Sequence, residues 1–283
     1  MNETLISRLK QILKAEPSEL IALTGGCVGE VYGFESDGKK YVVKVDRRGA
    51  GVLEIEGRML EFLAANSELP VPLPVAYDNT FLLMPRIAGA TSEAGGAELH
   101  AAELFAQLHN IRGESYGFDF DTVIGGLPQP NAYSASWVDF FAEQRLLAMA
   151  MQAHDAGKLP LELMRSIERL AAKLPELIDE PVYPSLIHGD VWGGNVLADG
   201  DRITGLLDPA IYYADAEIEL AFITLFSTFG ETFFRRYGEL RTISDDFQRV
   251  KRPLYNLYPL LVHTRLFAGS YVTSVAATLK QFS

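Results

Sequence analysis

The spacing of apolar residues changes from helical to alternating and back along the chain, and the elements it predicts follow that order. Leu5, Leu9 and Ile12 recur at helical spacing, which predicts an amphipathic helix over residues 3–14, closed by Pro17. The period then shortens to two. Residues 20–23, 28–34 and 40–45 read as strands, with Ser36, Asp37 and Gly38 as the turn between the last two. Residues 53–63 read as a helix, Pro70, Pro72 and Pro74 as an extended connection, and residues 80–87 as a strand entering a crossover. The small, glycine-rich stretch 88–96 predicts a domain boundary.

Helical spacing dominates beyond it. Ala101, Leu104, Phe105 and Leu108 form one stripe, with His109 as a cap in its final turn. Residues 113–134, rich in Gly, Asp and Pro, predict a long loop. Ser136 and Asp139 form a capping box that opens a helix through Met151. Leu163, Ile167, Leu170 and Leu174 mark a helix ending before Pro175. Residues 217–229 and 254–268 read as buried helices, and Val272, Val275, Leu279 and Phe282 as a terminal one. The expected class is α+β: a small, mainly β lobe (1–87), a larger helical lobe (88–283) and a cleft between them.

Composition narrows the chemistry. With 283 residues and 48% hydrophobic content, the chain can bury a substantial core. No apolar run approaches the roughly 18 residues that span a bilayer, and the first residues lack a signal peptide's apolar region. A net charge of −12 without a basic stripe argues against nucleic acid, but not against ATP. One cysteine, Cys27, excludes an intrachain disulfide and fits a reducing, cytoplasmic compartment. A monomer, or a homodimer joined through Cys27, is expected.

The stretch 186–195 carries the strongest chemical signal. Apolar Leu186 and Ile187 deliver His188, Asp190 and Asn195 into a loop loosened by Gly189, Gly193 and Gly194. A second apolar hairpin then ends at Asp208, thirteen residues beyond Asn195. An Asp, an Asn five residues on and a further Asp beyond a hairpin is the pattern of a kinase catalytic loop and its metal-binding Asp. Phosphoryl transfer to an alcohol needs a carboxylate to take the hydroxyl proton, which suits Asp190. It also needs oxygen ligands for magnesium, which suits Asn195 and Asp208.

The N-terminal part supplies matching pieces. Gly25, Gly26, Cys27, Val28 and Gly29 lie between two predicted strands, where backbone N–H groups can cover ATP phosphates. No Gly-Lys-Ser/Thr follows, so this is not a Walker A loop. In the strand 41–45, alternation puts Val42 and Lys44 on one face and Tyr41, Val43 and Val45 on the other. A lysine in a β-branched strand needs a phosphate or carboxylate partner. Glu56, twelve residues on, is the expected partner, with Glu54 the alternative.

On these residues, and on Tyr116 to Phe118, residues 137–146, 208–217 and 255–267, the sequence resembles the fructosamine kinase (ketosamine 3-kinase) family. That family belongs to the aminoglycoside-phosphotransferase-like branch of protein-kinase-like folds. The resemblance covers nearly the whole chain, and Trp192 within the loop is among its more specific marks. It implies ATP-dependent phosphorylation of the C3 hydroxyl of a fructosamine or ribulosamine, a deglycation and protein-repair activity, with magnesium as the metal. It also implies adenine contacts at Met84, Pro85 and Ile87, and substrate contacts at Trp192 and His263, with His188 supporting the catalytic loop. Departures from the family pattern stand at Pro85, Gly193 or Gly194, Ala214, Ala216, Glu219 and Arg265. The roles of Glu143, Arg145 and Arg265 are not assigned by the resemblance. Two rival readings are another small-alcohol kinase, for an aminoglycoside, choline or homoserine, and a non-catalytic nucleotide-binding regulator on the same fold.

Overall fold

The computed structural model describes residues 3–23, 29–47, 49–91 and 96–282. Gly25, Gly26, Cys27 and Val28, and with them the expected phosphate-covering loop apart from Gly29 and the Cys27-linked dimer, lie outside the described residues.

Alternation in the first third builds a five-stranded antiparallel sheet. Its strands are β1 (Ile21–Ala22), β2 (Glu30–Ser36), β3 (Lys39–Val45), β4 (Ala76–Tyr77) and β5 (Phe81–Pro85), in the order β1-β2-β3-β5-β4. The β2–β3 turn has positive φ at Asp37 (50°) and Gly38 (70°), the conformation that matches strand twist in a two-residue hairpin. Each face has its own helix. Phe34, Val43, Phe81 and Leu83 bury against Leu9 of α1 (Glu3–Leu13), while Leu82 and Met84 bury against Leu53 and Leu60 of α2 (Val52–Asn66). Val42 packs on the α2 face and Val43 on the other, as the period of two requires. On α2, Val52, Met59 and Leu63 join the main core of the chain, so this helix ties the sheet to the helical part.

The remainder is mostly helical. A short strand β6 (Ala90–Thr91) leads to α3 (Glu98–Leu108), and a hairpin of β7 (Thr122–Ile124) and β8 (Leu127–Gln129) follows. Next come α4 (Trp137–Phe140), a π-helical stretch (Phe141–Leu147), α5 (Ala148–Asp155) and α6 (Leu161–Leu177). Four short strands carry the loop of interest: β9 (Ser185–Ile187), β10 (Val196–Asp199), β11 (Arg202–Leu206) and β12 (Tyr212–Ala214). Strand β12 pairs with β9, and β10 lies between β11 and β6. Helices α7 (Glu217–Leu225), α8 (Glu231–Leu240), α9 (Arg252–Phe267) and α10 (Ser270–Leu279) complete the order. We propose the lobe boundary at 87/88, because β6 just beyond it pairs with a strand of the helical part.

Four local expectations are corrected. Residues 113–134 are not a loop throughout. They contain the β7–β8 hairpin and bridges from Tyr116 to Ser134 and from Gly117 to Tyr213, and they bury Gln129 and Asn131. The helix opened by the capping box is interrupted by the π-helical stretch. Pro175 lies inside α6, in its last turn, where the missing N–H removes only one helical bond. The helix expected over 217–229 stops at Leu225, and α8 starts afresh at Glu231. The capping box itself is formed, with Ser136 Oγ accepting the Asp139 N–H at 3.1 Å. Among the described residues no helix is long and apolar enough to cross a membrane.

Candidate active site

Lys44 and Glu56 meet because α2 packs on the sheet face that Val42 and Lys44 share. The Lys44 Nζ donates to Glu56 Oε1 at 2.7 Å and also reaches the Asp208 carboxylate. Lys44 and Glu56 are both buried. Burial alone would lower the lysine's pKa, but the charges of Asp208 and Glu56 outweigh it and hold the group protonated. Burial is also the largest influence on Glu56 and raises its pKa, with Lys44 opposing and Asp208 adding to the rise.

Asp190 leaves β9 after His188 and Gly189, and the loop returns through a single 3₁₀ turn, Gly193–Asn195, into β10. Gly189 has φ +87°, and a Cβ there would stand 2.2 Å from the Ala210 carbonyl oxygen, so only glycine permits this approach. Asn195 Nδ2 donates to the Asp190 carbonyl at 2.9 Å and to Asp190 Oδ2 at 3.0 Å. Its amide oxygen is the atom that could take a cation. The Leu207 N–H donates to the Asn195 carbonyl at 2.9 Å, which ties the loop to the chain just before Asp208. Asp208 itself has φ 52°, a left-handed conformation rare outside glycine, and its carboxylate reaches Lys44. Burial first, and then the charge of Asp208, push the Asp190 carboxyl up to about 8.

His188 is fully buried, and its Nδ1 accepts the Asp190 N–H at 3.3 Å, in keeping with a supporting role. Burial lowers its pKa, so it stays neutral. Val42 and Met84 are cross-strand partners on the α2 face. The side chain of Ile87 lies over Gly205, about 3.0 Å from where a Cβ would stand. Pro85 ends β5 opposite Tyr41 and is exposed. Trp192 is 41% exposed and lies over Gly194, where a Cβ would come within 2.3 Å of the indole. His263, on α9, packs against Phe226 with ring centroids 5.0 Å apart. Ala216, one of the departures from the family pattern, is buried. The carboxylates flanking it, Asp215 and Glu217, both bind Lys251, at 3.2 and 2.7 Å.

Of a second ring of residues, the sequence reading gave a role only to His109, as a helix cap. Glu219 on α7 accepts the Gly189 N–H at 2.6 Å, the His188 N–H at 3.2 Å and His109 Nε2 at 2.9 Å. Burial would raise its pKa, but these donors together hold it below the usual carboxylate range. His109 is at the C-cap position of α3, yet its ring is buried, with Nδ1 2.7 Å from the Tyr237 hydroxyl. Gln129 donates to the Ala210 carbonyl at 3.1 Å and accepts from the Tyr258 hydroxyl at 2.7 Å. Arg145, fully buried, donates to Asn131 Oδ1 at 2.6 Å and lies 3.7 Å from the Tyr212 ring centroid. A signal for Glu219 was present: it is a carboxylate inside a helix that is apolar on nearly every side, which requires partners.

A β-rich lobe with a buried Lys–Glu pair, beside a helical lobe whose loop carries Asp190 and Asn195 ahead of Asp208, is the architecture of protein-kinase-like phosphotransferases. The solved structures agree at the level of fold. An aminoglycoside phosphotransferase in ternary complex with AMP-PNP and hygromycin B superposes with a TM-score of 0.68 at 18% identity, over 99% of each chain. Within that class the chain belongs to the fructosamine kinase family, whose family model matches residues 1–283. A Thermobifida fusca chain assigned as a fructosamine-3-kinase is 29% identical, with a TM-score of 0.86 over 99% of both chains. A Synechocystis protein assigned as a ketoamine kinase is 32% identical over 92% of this chain and 88% of its own length. The chloroplastic protein-ribulosamine 3-kinase of Arabidopsis thaliana is 28% identical over 91% of this chain and 80% of its own length.

Proposed function

We propose that this chain transfers the γ-phosphoryl group of ATP to the C3 hydroxyl of a ketosamine, of the fructosamine or ribulosamine type. The 3-phosphate so formed tends to eliminate and free the amine, which makes the activity a deglycation step. The observation that carries this reading is the meeting of Lys44, Asp208, Asn195 and Asp190 at one point of a chain in the fructosamine kinase family.

Lys44 binds the α/β phosphates, and Glu56 holds its ammonium in place. Val42, Met84, Pro85 and Ile87 line the adenine side. There the Ile87 N–H donates to the base, and the Pro85 carbonyl accepts from it. Among the described residues no group of three or more His, Cys, Asp or Glu side chains stands ready for a metal. The Asn195 amide oxygen and the Asp208 carboxylate are hard donors that fit magnesium, which keeps part of its shell for phosphate and water. Magnesium held by these two residues would neutralise charge on the phosphates and would offset the push of Asp208 on Asp190. Asp190 accepts the proton of the sugar hydroxyl as the phosphoryl group arrives. Trp192 and His263 bound the sugar side, the indole offering its face to the C–H groups of the sugar.

A coupled ADP-release assay tests the reading, with fructose- and ribulose-derived ketosamines set against an aminoglycoside, choline and homoserine. Turnover confined to ketosamines is expected. Turnover of another alcohol in preference to every ketosamine overturns it.

A further inference from the structure

Five aromatic rings run outward from the catalytic loop. Trp192 lies 6.5 Å from Phe226 between ring centroids, and Phe226 lies 5.0 Å from His263. His263 is 4.8 Å from Tyr271 and 5.8 Å from Phe267, which closes the run. The two ends are uncovered, with Trp192 41% and Phe267 60% exposed. The run thus begins on the catalytic loop and ends on an exposed ring at the close of α9.

The far end is held by built features of the backbone. Ala268 (φ 56°) and Gly269 (φ 62°) break the chain sharply between α9 and α10, which turns Tyr271 back onto His263. Lys158 Nζ donates to the carbonyls of Arg265 at 2.9 Å and Leu266 at 2.7 Å, fixing the end of α9 from α5's side. His263 Nδ1 donates to the Pro259 carbonyl at 2.8 Å, which leaves Nε2 as a hydrogen-bond acceptor in the neutral ring. Burial lowers the pKa of His263, in keeping with that neutral form.

The chemistry of the proposed substrate says what such a surface must meet. In a ketosamine the nitrogen is carried on C1, three bonds from the C3 oxygen-bearing carbon. With C3 held at Asp190, the nitrogen therefore stands within about 4 Å of it. Trp192, two residues from Asp190, is the exposed ring at the inner end of the run, where the groups beyond the nitrogen would pass. Such an amine is protonated near neutral pH, and a cation is attracted to ring faces. We infer that the rings of Phe226, Phe267 and Tyr271, continuing outward from the sugar-side Trp192 and His263, form the subsite for the amine arm of the ketosamine, the carbon chain borne by its ammonium nitrogen. The inference rests on the ketosamine reading above, and it adds that the enzyme selects for what the sugar is attached to.

The test compares ketosamines that share the sugar and differ in the arm: 1-amino-1-deoxyfructose, which has none, and the fructose adducts of butylamine, benzylamine and the side chain of N-acetyllysine. Phe267→Ala is made alone, because its exposure spares the fold, and together with Tyr271→Leu. Melting temperature and KM for ATP serve as controls. The wild type should show a lower KM for the adducts with arms than for the bare amine. The double variant should raise KM for those adducts by about three- to tenfold while moving the bare amine by less than about twofold. An equal change for all four, or none, overturns the subsite. So does loss of a dimer in the double variant with every KM unchanged, which would assign the rings to self-association. A wild type that turns over no ketosamine removes the functional reading, and the subsite with it.

Discussion

The Gly189 N–H is 2.6 Å from Glu219 Oε1, a carboxylate thirty residues further along the chain and on another element. The other oxygen of Glu219 takes the His188 N–H and His109 Nε2. The backbone just before Asp190 is therefore positioned from α7, and the position of α7 is linked through His109 to Tyr237 on α8. Glu219→Ala leaves buried N–H groups without an acceptor, at about 1–3 kcal/mol each. We expect kcat to fall by about 10- to 100-fold with KM for ATP nearly constant, and the melting temperature to drop. Glu219→Gln, which keeps one accepting oxygen, should lie between. Steady-state kinetics and thermal melts check this, and wild-type kcat in Glu219→Ala would show that the loop holds its own shape.

Asp190→Asn should slow turnover by about 10²- to 10⁴-fold while leaving ATP affinity in place. The same change should stabilise the ligand-free protein. The folded carboxyl titrates near 8, above its unfolded value, because burial and Asp208 oppose its charge. Its contribution to stability is fully present below about pH 4 and is lost as pH rises through about 8. The neutral amide of the variant carries no such dependence. Since Asp190 keeps an opening to solvent, a gain of about 1–3 kcal/mol at pH 8 is expected, shrinking toward zero near pH 4. Melts of both proteins across that range decide it, and a variant less stable at pH 8 than the wild type refutes the charge argument.

Much of this site was legible in the sequence, and the reasons are local. Lys44 stood out because a charged residue inside a β-branched strand needs a partner, and α2 lies close enough in sequence to supply Glu56. Asp190, Asn195 and Asp208 stood out because a short loop and one hairpin fix their separation. Glu219, His109, Gln129 and Tyr258 did not, because each acts across thirty or more residues of chain or on backbone atoms, and no spacing rule reports that. The helix α8 was passed over for a related reason. Its buried stripe is only Phe233 and Tyr237, among Arg235, Arg236 and Glu239. The hairpin within 113–134 was hidden by turn residues that dominate the segment, while its buried polar side chains, Gln129 and Asn131, resemble loop residues in sequence.

Lys44 offers a separation of binding from stability. Lys44→Met removes the cation that pairs with both the buried Glu56 and the half-buried Asp208, and the two carboxylates then face each other without it. Loss of one partner from a buried pair costs about 3–5 kcal/mol. The variant should melt lower and show a strongly raised KM for ATP. Adding Glu56→Gln to Lys44→Met should recover much of the melting temperature and none of the ATP affinity. Recovery of both would mean that Lys44 does not touch nucleotide.

Gln129 supports the same catalytic loop through Ala210. Its amide donates to the Ala210 carbonyl and to Thr122 Oγ1, and its oxygen accepts from Tyr258. The Ala210 carbonyl presses on Gly189, and the Ala210 N–H donates to the His188 carbonyl at 2.8 Å. Gln129→Leu should therefore lower kcat by about tenfold or more with KM for ATP unchanged, and cost about 1–3 kcal/mol of stability through unsatisfied buried groups. Gln129→Glu separates positioning from packing. A carboxylate still accepts from Tyr258 but cannot donate to Ala210, whereas the protonated acid can do both. Relative to wild type at each pH, Gln129→Glu should thus be most impaired at pH 8 and recover as pH falls and the acid forms. Parallel pH profiles for Gln129→Glu and Gln129→Leu would show that Gln129 only fills space, since a leucine has no proton to gain.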